Sequence, residues 1–222
     1  MDLAQPERSV VPSLDGPVLA VLARTTAPLA GREVARLVGV GSRAGVQRVL
    51  TRLAREGVVH AERRSNAVHY SANRDHLAWP AVEILAHLRA ELLRRLTTHV
   101  DAWSVPAQTA AVFGSLARGE GGTDSDIDLL LVRPDLDAEQ SRTWEAQVDA
   151  LVTAVEAWTG NRAQPYDVSL QDLRAHVAAD EPIVQSWRRE AITLVGRDVS
   201  ALLRSVPRRP TASGHPPTSS GV

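Results

Sequence analysis

The chain has 222 residues, 44% of them hydrophobic, and carries 25 basic residues, all arginine, against 26 acidic ones, with seven histidines and no cysteine. This length and apolar content suffice for one large or two small domains, which excludes global disorder, and the lack of cysteine excludes a disulfide scaffold, a thiolate zinc site and a cysteine nucleophile. The net charge of −1 averages a basic stretch, +5 over residues 1–100, and an acidic one, −8 over residues 101–205, with +2 from the tail. Halves of opposite sign imply two tasks: a basic half suits a polyanionic partner, and an acidic half meets polyphosphate only with a cation in place. The N-terminus has charged residues and no apolar stretch, so no secretory signal is expected, and no run of apolar residues is long enough to span a membrane. The expected location is cytoplasmic.

After a polar lead-in, Leu14, Val18, Leu19 and Leu22 recur at helical spacing, and Ala27 to Gly31 break the pattern. A second helix is expected over Arg32 to Val38, and a third, capped by Ser42, over Arg43 to Arg55. In the third, Val46, Val49, Leu50 and Leu53 form the apolar face, leaving Arg43, Gln47, Arg48, Thr51, Arg52 and Arg55 outward. Residues 58–62 and 67–71 read as short strands of a hairpin with Arg63, Arg64, Ser65 and Asn66 at its tip.

Three short helices followed by an arginine-tipped hairpin resemble a winged helix-turn-helix over residues 12–75. The resemblance implies double-stranded DNA as partner: Arg43, Gln47, Arg48, Thr51 and Arg52 in the major groove, where Arg pairs with guanine and Gln with adenine, and Arg63 and Arg64 on phosphate or minor groove. The alternative is an exposed face that is merely solvated or that docks a protein. Residues 76–104 read as a linker dominated by one long helix, Pro80 to Thr98, with Ala81, Leu85, Leu88, Leu92 and Leu96 in a stripe widened by Ile84 and Leu93. Such a stripe is also a candidate homodimer seam.

Residues 109–132 carry the chemistry. Ala110 to Phe113 is an apolar strand, Gly114 and Ser115 a sharp turn, and Leu116 onward a short helix, whose free N–H groups and Ser115 hydroxyl suit a phosphate chain with Arg118 reaching the same oxygens. Asp126 and Asp128 open a strand running to Val132 and share one of its faces, where two carboxylates can converge on a hard divalent cation. The bland alternative, a strand end with two solvated aspartates, leaves the Gly-Ser turn ten residues upstream unexplained.

The string GSLARG followed by SDIDLLLV resembles the signature of the DNA polymerase β nucleotidyltransferase superfamily, in its minimal branch, over roughly residues 105–196. The resemblance implies a nucleoside triphosphate bound by Gly114, Ser115 and Arg118, and a third carboxylate on a later strand. Asp167 is the best candidate and Asp172 its competitor. It further implies two Mg²⁺ ions, with Mn²⁺ as alternative, held by Asp126, Asp128 and Asp167, and in-line attack of an acceptor hydroxyl on the α-phosphorus.

Between these motifs, residues 137–159 read as a core helix through Trp144, Val148, Leu151, Val155 and Trp158, which makes those tryptophans packing residues. Helices over 170–179, 182–190 and 198–204 and a strand over 192–195 complete the half, and residues 206–222, rich in Pro, Ser, Gly and Thr, read as a disordered tail. The expected fold is thus α+β: a winged helix-turn-helix joined by a long helix to a small mixed-sheet nucleotidyltransferase domain over residues 105–205. Its expected function is Mg-dependent nucleotidyl transfer coupled to DNA binding. The alternatives are a transcriptional regulator that senses a nucleotide without consuming it, and an antitoxin-type enzyme that nucleotidylates a protein.

Overall fold

The computed structural model describes residues 1–206; the tail expected from 206 onward lies outside them except for Val206, which is buried. Among the described residues no helix is long and apolar enough to cross a membrane. The chain is mixed α and β, with ten α-helices and two sheets among those residues.

The first half contains α1 (Asp15–Ala23), β1 (Leu29–Ala30), α2 (Gly31–Val38), α3 (Arg43–Arg55), β2 (Val59–Arg64) and β3 (Ala67–Ala72). Ser42 caps α3, its side chain accepting from the Gly45 N–H at 3.0 Å. Val34, Val46, Leu50 and Leu53 meet Val18, Leu22 and Tyr70 in one core, as the spacing requires. The sheet has three strands rather than two. Leu29 and Ala30, which read as a simple break, pair antiparallel with Tyr70 and His69, giving the order β1-β3-β2. The hairpin turns on Ser65 and Asn66 alone, with Ser65 at φ 53 and Arg64 still paired with Ala67, so Arg63 and Arg64 lie on the strand below the tip.

The long helix expected over 80–98 is two: α4 (Trp79–Ala86) and α5 (Leu88–Asp101), separated at His87. The Arg24 guanidinium donates from Nε and Nη2 to the Ala86 carbonyl at 3.1 and 2.8 Å, and His87 Nδ1 lies 2.7 Å from the Glu83 carbonyl. Side chains thus compete for carbonyls that a continuous helix uses internally. The break rephases the apolar face: α4 buries Trp79, Val82 and Ala86, and α5 buries Leu92, Leu96 and Val100. The expected stripe does not form, because Ala81 is exposed and Ile84 is 68% exposed. Leu92 and Leu96 are taken up by the chain's own core, which removes them from the homodimer seam expected there.

In the second half, β4 (Thr109–Phe113), α6 (Gly114–Arg118), β5 (Ile127–Arg133), α7 (Ala138–Thr159), β6 (Ala163–Ser169), α8 (Leu170–Ala178), α9 (Pro182–Glu190), β7 (Ile192–Gly196) and α10 (Val199–Ser205) follow in order. The sheet runs β6-β5-β4-β7, with β5 and β6 parallel and β4 antiparallel to both neighbours. Every residue of β4 is buried. Alternation sends Ala110, Val112, Leu129 and Leu131 into a core with α5 and α7, and Ala111, Phe113, Leu130 and Val132 into a second core with α8, α9 and α10. Trp144 is 2% exposed and stacks edge-on against Trp103 at 5.0 Å, the packing role its spacing predicts.

The lead-in is not idle. Leu3 is fully buried in the core of the second half, and the N–H groups of Leu3 and Ala4 donate to the Gly121 carbonyl at 3.1 and 3.0 Å. Gln5 donates to the Val38 carbonyl in the first half at 3.3 Å.

Candidate active site

The site is built where β4 ends and β5 begins. β4 stops at Gly114, whose φ of 66° is left-handed, and α6 is a single short turn closed by Gly119 at φ 70°. Across the ladder, Phe113 is the register partner of Asp128. The Gly114 backbone therefore lies against the Asp128 carboxylate so closely that a Cβ there would overlap it.

The loop between α6 and β5 is fastened at several points. The Glu120 N–H donates to the Ser115 carbonyl at 2.8 Å, Gly122 N–H to the Ser125 hydroxyl at 3.0 Å, and Gly121 carries the lead-in contacts described above. Asn161, 2% exposed, donates from Nδ2 to the carbonyls of Thr123 and Ser125 at 3.0 and 2.9 Å. The loop thereby delivers Asp126, exposed, just ahead of β5, and Asp128, half-buried, within it. The two are about 7 Å apart along the strand and share its face. Ser115 follows Gly114 in the turn with its side chain by Gly121, and among the described residues its hydroxyl has no hydrogen-bond partner.

Burial pushes the Asp128 carboxyl above the usual carboxylate range; the Asp126 charge adds to this, Arg118 partly offsets it and Glu190 adds again. Among the described residues neither Asp126 nor Asp128 has an ion-pair partner within 4.0 Å. Arg118 is not free to serve as one, because its Nε donates to Glu120 at 2.8 Å and its Nη1 to Glu190 at 2.7 Å. Glu190, at the end of α9, has a side chain only 8% exposed, and its second oxygen is buried without a partner. Although burial works against ionisation, the hydrogen bond and the charge of Arg118 hold the Glu190 carboxyl below its usual range.

Asp167 is not part of this arrangement. In the parallel register it pairs with Leu131, whereas Asp128 pairs with Gln164. It thus lies three residues further along the sheet, on the Leu129 and Leu131 face. There it accepts from Trp144 Nε1 at 3.0 Å and pairs with Arg133 at 3.1 Å. This corrects the expectation of Asp167 as third carboxylate: alternation along β6 is a local property, but the residue's phase relative to β5 depends on how β6 is set against it. The competitor Asp172 caps α8 with Ser169 and lies 4.0 Å from Arg133, so it does not replace Asp167. Among the described residues no three Asp, Glu, His or Cys side chains come together to hold an ion by themselves. Two carboxylates still fit a Mg²⁺ that keeps water and takes substrate phosphate oxygens for its other positions.

Sequence reasoning missed Glu190 and Asn161, which act through contacts distant in sequence, so no motif around them signals a role.

On the first half, Arg43, Gln47, Arg48 and Thr51 share the exposed face of α3, and Arg63 is exposed on β2. A cavity of about 520 Å³ opens between α3 and the hairpin, lined among others by Arg32, Arg43, Gln47, Arg64, Asn66 and His69. Gln47 Nε2 donates to the Tyr70 hydroxyl at 2.8 Å, and the Thr51 hydroxyl to the Gln47 carbonyl at 2.9 Å. Two of the expected contact arginines are already engaged: Arg52 pairs with Asp15 and with Glu56, and Arg64 with Glu62 at 2.7 Å.

No curated protein and no solved structure gives a significant match to the chain. The family model described as nucleotidyltransferase domain matches residues 95–176, a stretch that includes β4, α6, β5, α7 and β6. Over this segment the chain is similar to nucleotidyltransferase domains, and the match supports a transferase of phosphorus-containing groups, in a family that typically uses divalent metal ions.

Proposed function

We propose that the chain is a Mg²⁺-dependent nucleotidyltransferase that moves a nucleoside monophosphate from a nucleoside triphosphate to a hydroxyl acceptor, with residues 12–75 as a winged helix-turn-helix on double-stranded DNA. Residues 76–104 join this reader to the transferase half, residues 105–205. The observation that carries the reading is the juxtaposition of the Gly114–Ser115 turn with the Asp126 and Asp128 pair, which has no ion-pair partner among the described residues. Asp126 and Asp128 would hold the ion, with Mn²⁺ as a substitute. Bound there, it supplies charge neutralisation on the phosphates and favours ionisation of the attacking hydroxyl.

The remaining roles belong to the protein. Ser115, whose hydroxyl is uncommitted, donates to a phosphate oxygen, and Gly114 lets the turn approach without a side chain in the way. Arg118, oriented by Glu120 and Glu190, reaches the outer phosphates with Nη2, the nitrogen those carboxylates leave open. The acceptor oxygen bonds to the α-phosphorus, the bond to the bridging oxygen breaks, pyrophosphate leaves with that electron pair, and the hydroxyl proton passes to solvent.

The test is incubation of the intact chain with each α-labelled triphosphate, Mg²⁺ and cell extract, with Asp128→Asn as control. Label moved by the native chain and not by the variant supports the reading; transfer retained by the variant overturns it.

A second reading, a sensor that binds nucleotide without consuming it, is favoured by one observation. The lead-in ties the loop ahead of Asp126 to α2 through Gly121 and Val38, so occupancy of the site and placement of the DNA reader share a physical connection. Nucleotide-dependent DNA binding without any transfer distinguishes it.

A further inference from the structure

Beside Asp126, a cavity of about 410 Å³ is lined by Thr123, Asp124, Ser125 and Asp126 on one wall and by residues 160–162 on the other. β4 and its turn flank β5 on one side and β6 flanks it on the other, so the wall of this cavity formed by residues 160–162 lies across the aspartate pair from the turn. Ile127 pairs with Ala163, and the Ile127 N–H donates to the Arg162 carbonyl at 2.8 Å. Arg162 thus stands next to Asp126 and shares its face of the sheet.

Arg162 is exposed, and among the described residues its guanidinium has neither an ion pair nor a hydrogen-bond partner. That sets it apart from Arg118, which two carboxylates hold. Among the described residues it is also the only cationic side chain lining this cavity. Asn161 is committed to the loop and so supports the wall rather than a ligand.

In-line displacement places the attacking oxygen opposite the leaving pyrophosphate. With the outer phosphates against the Gly114–Ser115 turn, the acceptor enters from the β6 side, through this cavity. We infer that the cavity is the acceptor subsite and that Arg162 selects an acceptor bearing a phosphate group near its hydroxyl. The inference rests on the transferase reading above and names the substrate class for it. An arginine fork matches two phosphate oxygens, and the other residues lining the cavity are short and polar, which suits a polar ester rather than an apolar alcohol. Asp126 does not oppose such an anion once its charge is met by the divalent cation, and Asp124 is exposed to solvent, where its repulsion is screened. A polycationic alcohol would instead face the Arg162 charge.

The test measures equilibrium binding to the intact chain saturated with Mg²⁺ and a non-hydrolysable α,β-methylene triphosphate. The probes are glycerol 3-phosphate, a 5′-phosphorylated dinucleotide, glycerol and an aminoglycoside. Both phosphate-bearing probes are expected to bind more tightly than glycerol and the aminoglycoside. Arg162→Ala should weaken the preferred probe about 10-fold or more, with partial recovery in Arg162→Lys and no change in affinity for the triphosphate analogue. Preference for the dinucleotide indicates a polynucleotide end as source, and preference for glycerol 3-phosphate a small phosphate ester. The proposal is overturned if glycerol or the aminoglycoside binds as tightly as the phosphate-bearing probes, or if Arg162→Ala binds them like the native chain. Failure of the chain to bind the triphosphate analogue at all would instead bring down the transferase reading, and this inference with it.

Discussion

Gly114 and Asp128 touch across the β4–β5 ladder: the backbone of one lies against the carboxylate of the other, with no room for a methyl group between them. The turn that would cradle phosphate and the carboxylate that would hold the ion are consequently one packed unit. Gly114→Ala meets two penalties. It forces an L-residue into a left-handed φ of 66°, at about 1–2 kcal/mol, and it drives the new methyl into Asp128. Thermal unfolding should show the lost stability, and transfer should fall much further than the fraction unfolded explains. A variant with native turnover would show that the turn and the carboxylate act independently.

The two faces of the sheet separate the aspartates by role. Asp126→Asn and Asp128→Asn should each reduce transfer by about 10³-fold or more, equivalent to about 4 kcal/mol of transition-state stabilisation, while leaving the fold intact. Asp167→Asn should behave in the opposite way. It weakens the contacts to Trp144 and Arg133, costing about 1 kcal/mol of stability, and retains most of the turnover. Steady-state kinetics beside denaturant unfolding of the three variants checks this, and a dead but fully stable Asp167→Asn would restore it to the site.

The contrast between these aspartates shows what the sequence made legible. Residue spacing was enough for the local elements: α3 runs over Arg43–Arg55 and α9 over Pro182–Glu190 as their patterns require, because amphipathic period and caps are local signals. Asp126 and Asp128 needed only the alternation of a single strand. Asp167 needed the register of β6 against β5, and Glu190 the packing of α9 on α6, both of which are settled by tertiary contacts. The long linker helix failed for the same reason: its stripe looked continuous, but Arg24, far upstream, takes the Ala86 carbonyl. β1 was missed because two residues, Leu29 and Ala30, are too short to show a period and exist as a strand only through β3.

The loop ahead of Asp126 depends on Asn161, a buried amide whose Nδ2 serves both Thr123 and Ser125. Asn161→Ala leaves two carbonyls without their donor, at a cost of about 1–3 kcal/mol, and releases the segment that positions Asp126. Turnover should drop while affinity for the triphosphate, set on the β4 side, changes less. Loop mobility read by hydrogen exchange at residues 121–126 should rise in parallel. Unchanged exchange there would remove the clamp from the account.

Asp15 and Arg52 give the first half a pH signature. Burial of Asp15 works against its ionisation, yet the Ser13 hydroxyl and the Arg52 guanidinium outweigh it and hold its carboxyl below the ordinary value of 3.8. A depressed carboxyl contributes stability that is present above the unfolded-state value and lost as pH falls through the folded one. Asp15→Asn should therefore lower the melting temperature at pH 7, and the gap from the native chain should close as pH falls below 3.8. A gap that persists unchanged in acid would mean that the pair acts through packing alone.

The same pairing sorts the arginines of the proposed DNA surface. Arg43, Arg48 and Arg63 are exposed and have no carboxylate partner among the described residues, whereas Arg52 is tied to Asp15 and Glu56, and Arg64 to Glu62. An arginine that neutralises a phosphate releases a counterion, so its removal lowers the slope of log affinity against log salt by about 1. Arg43→Ala, Arg48→Ala and Arg63→Ala should each weaken binding to duplex DNA, with the slope reduced for those that reach phosphate and sequence preference relaxed for those that reach bases. Arg52→Ala should chiefly lower thermal stability, because the engaged guanidinium must first leave Asp15 to reach DNA. Fluorescence anisotropy over a salt series, run beside melting curves, separates the two groups. If Arg52→Ala lowered the slope as much as Arg48→Ala while melting like the native chain, the Asp15 pair would not constrain Arg52, and the whole face of α3 would be free to meet DNA.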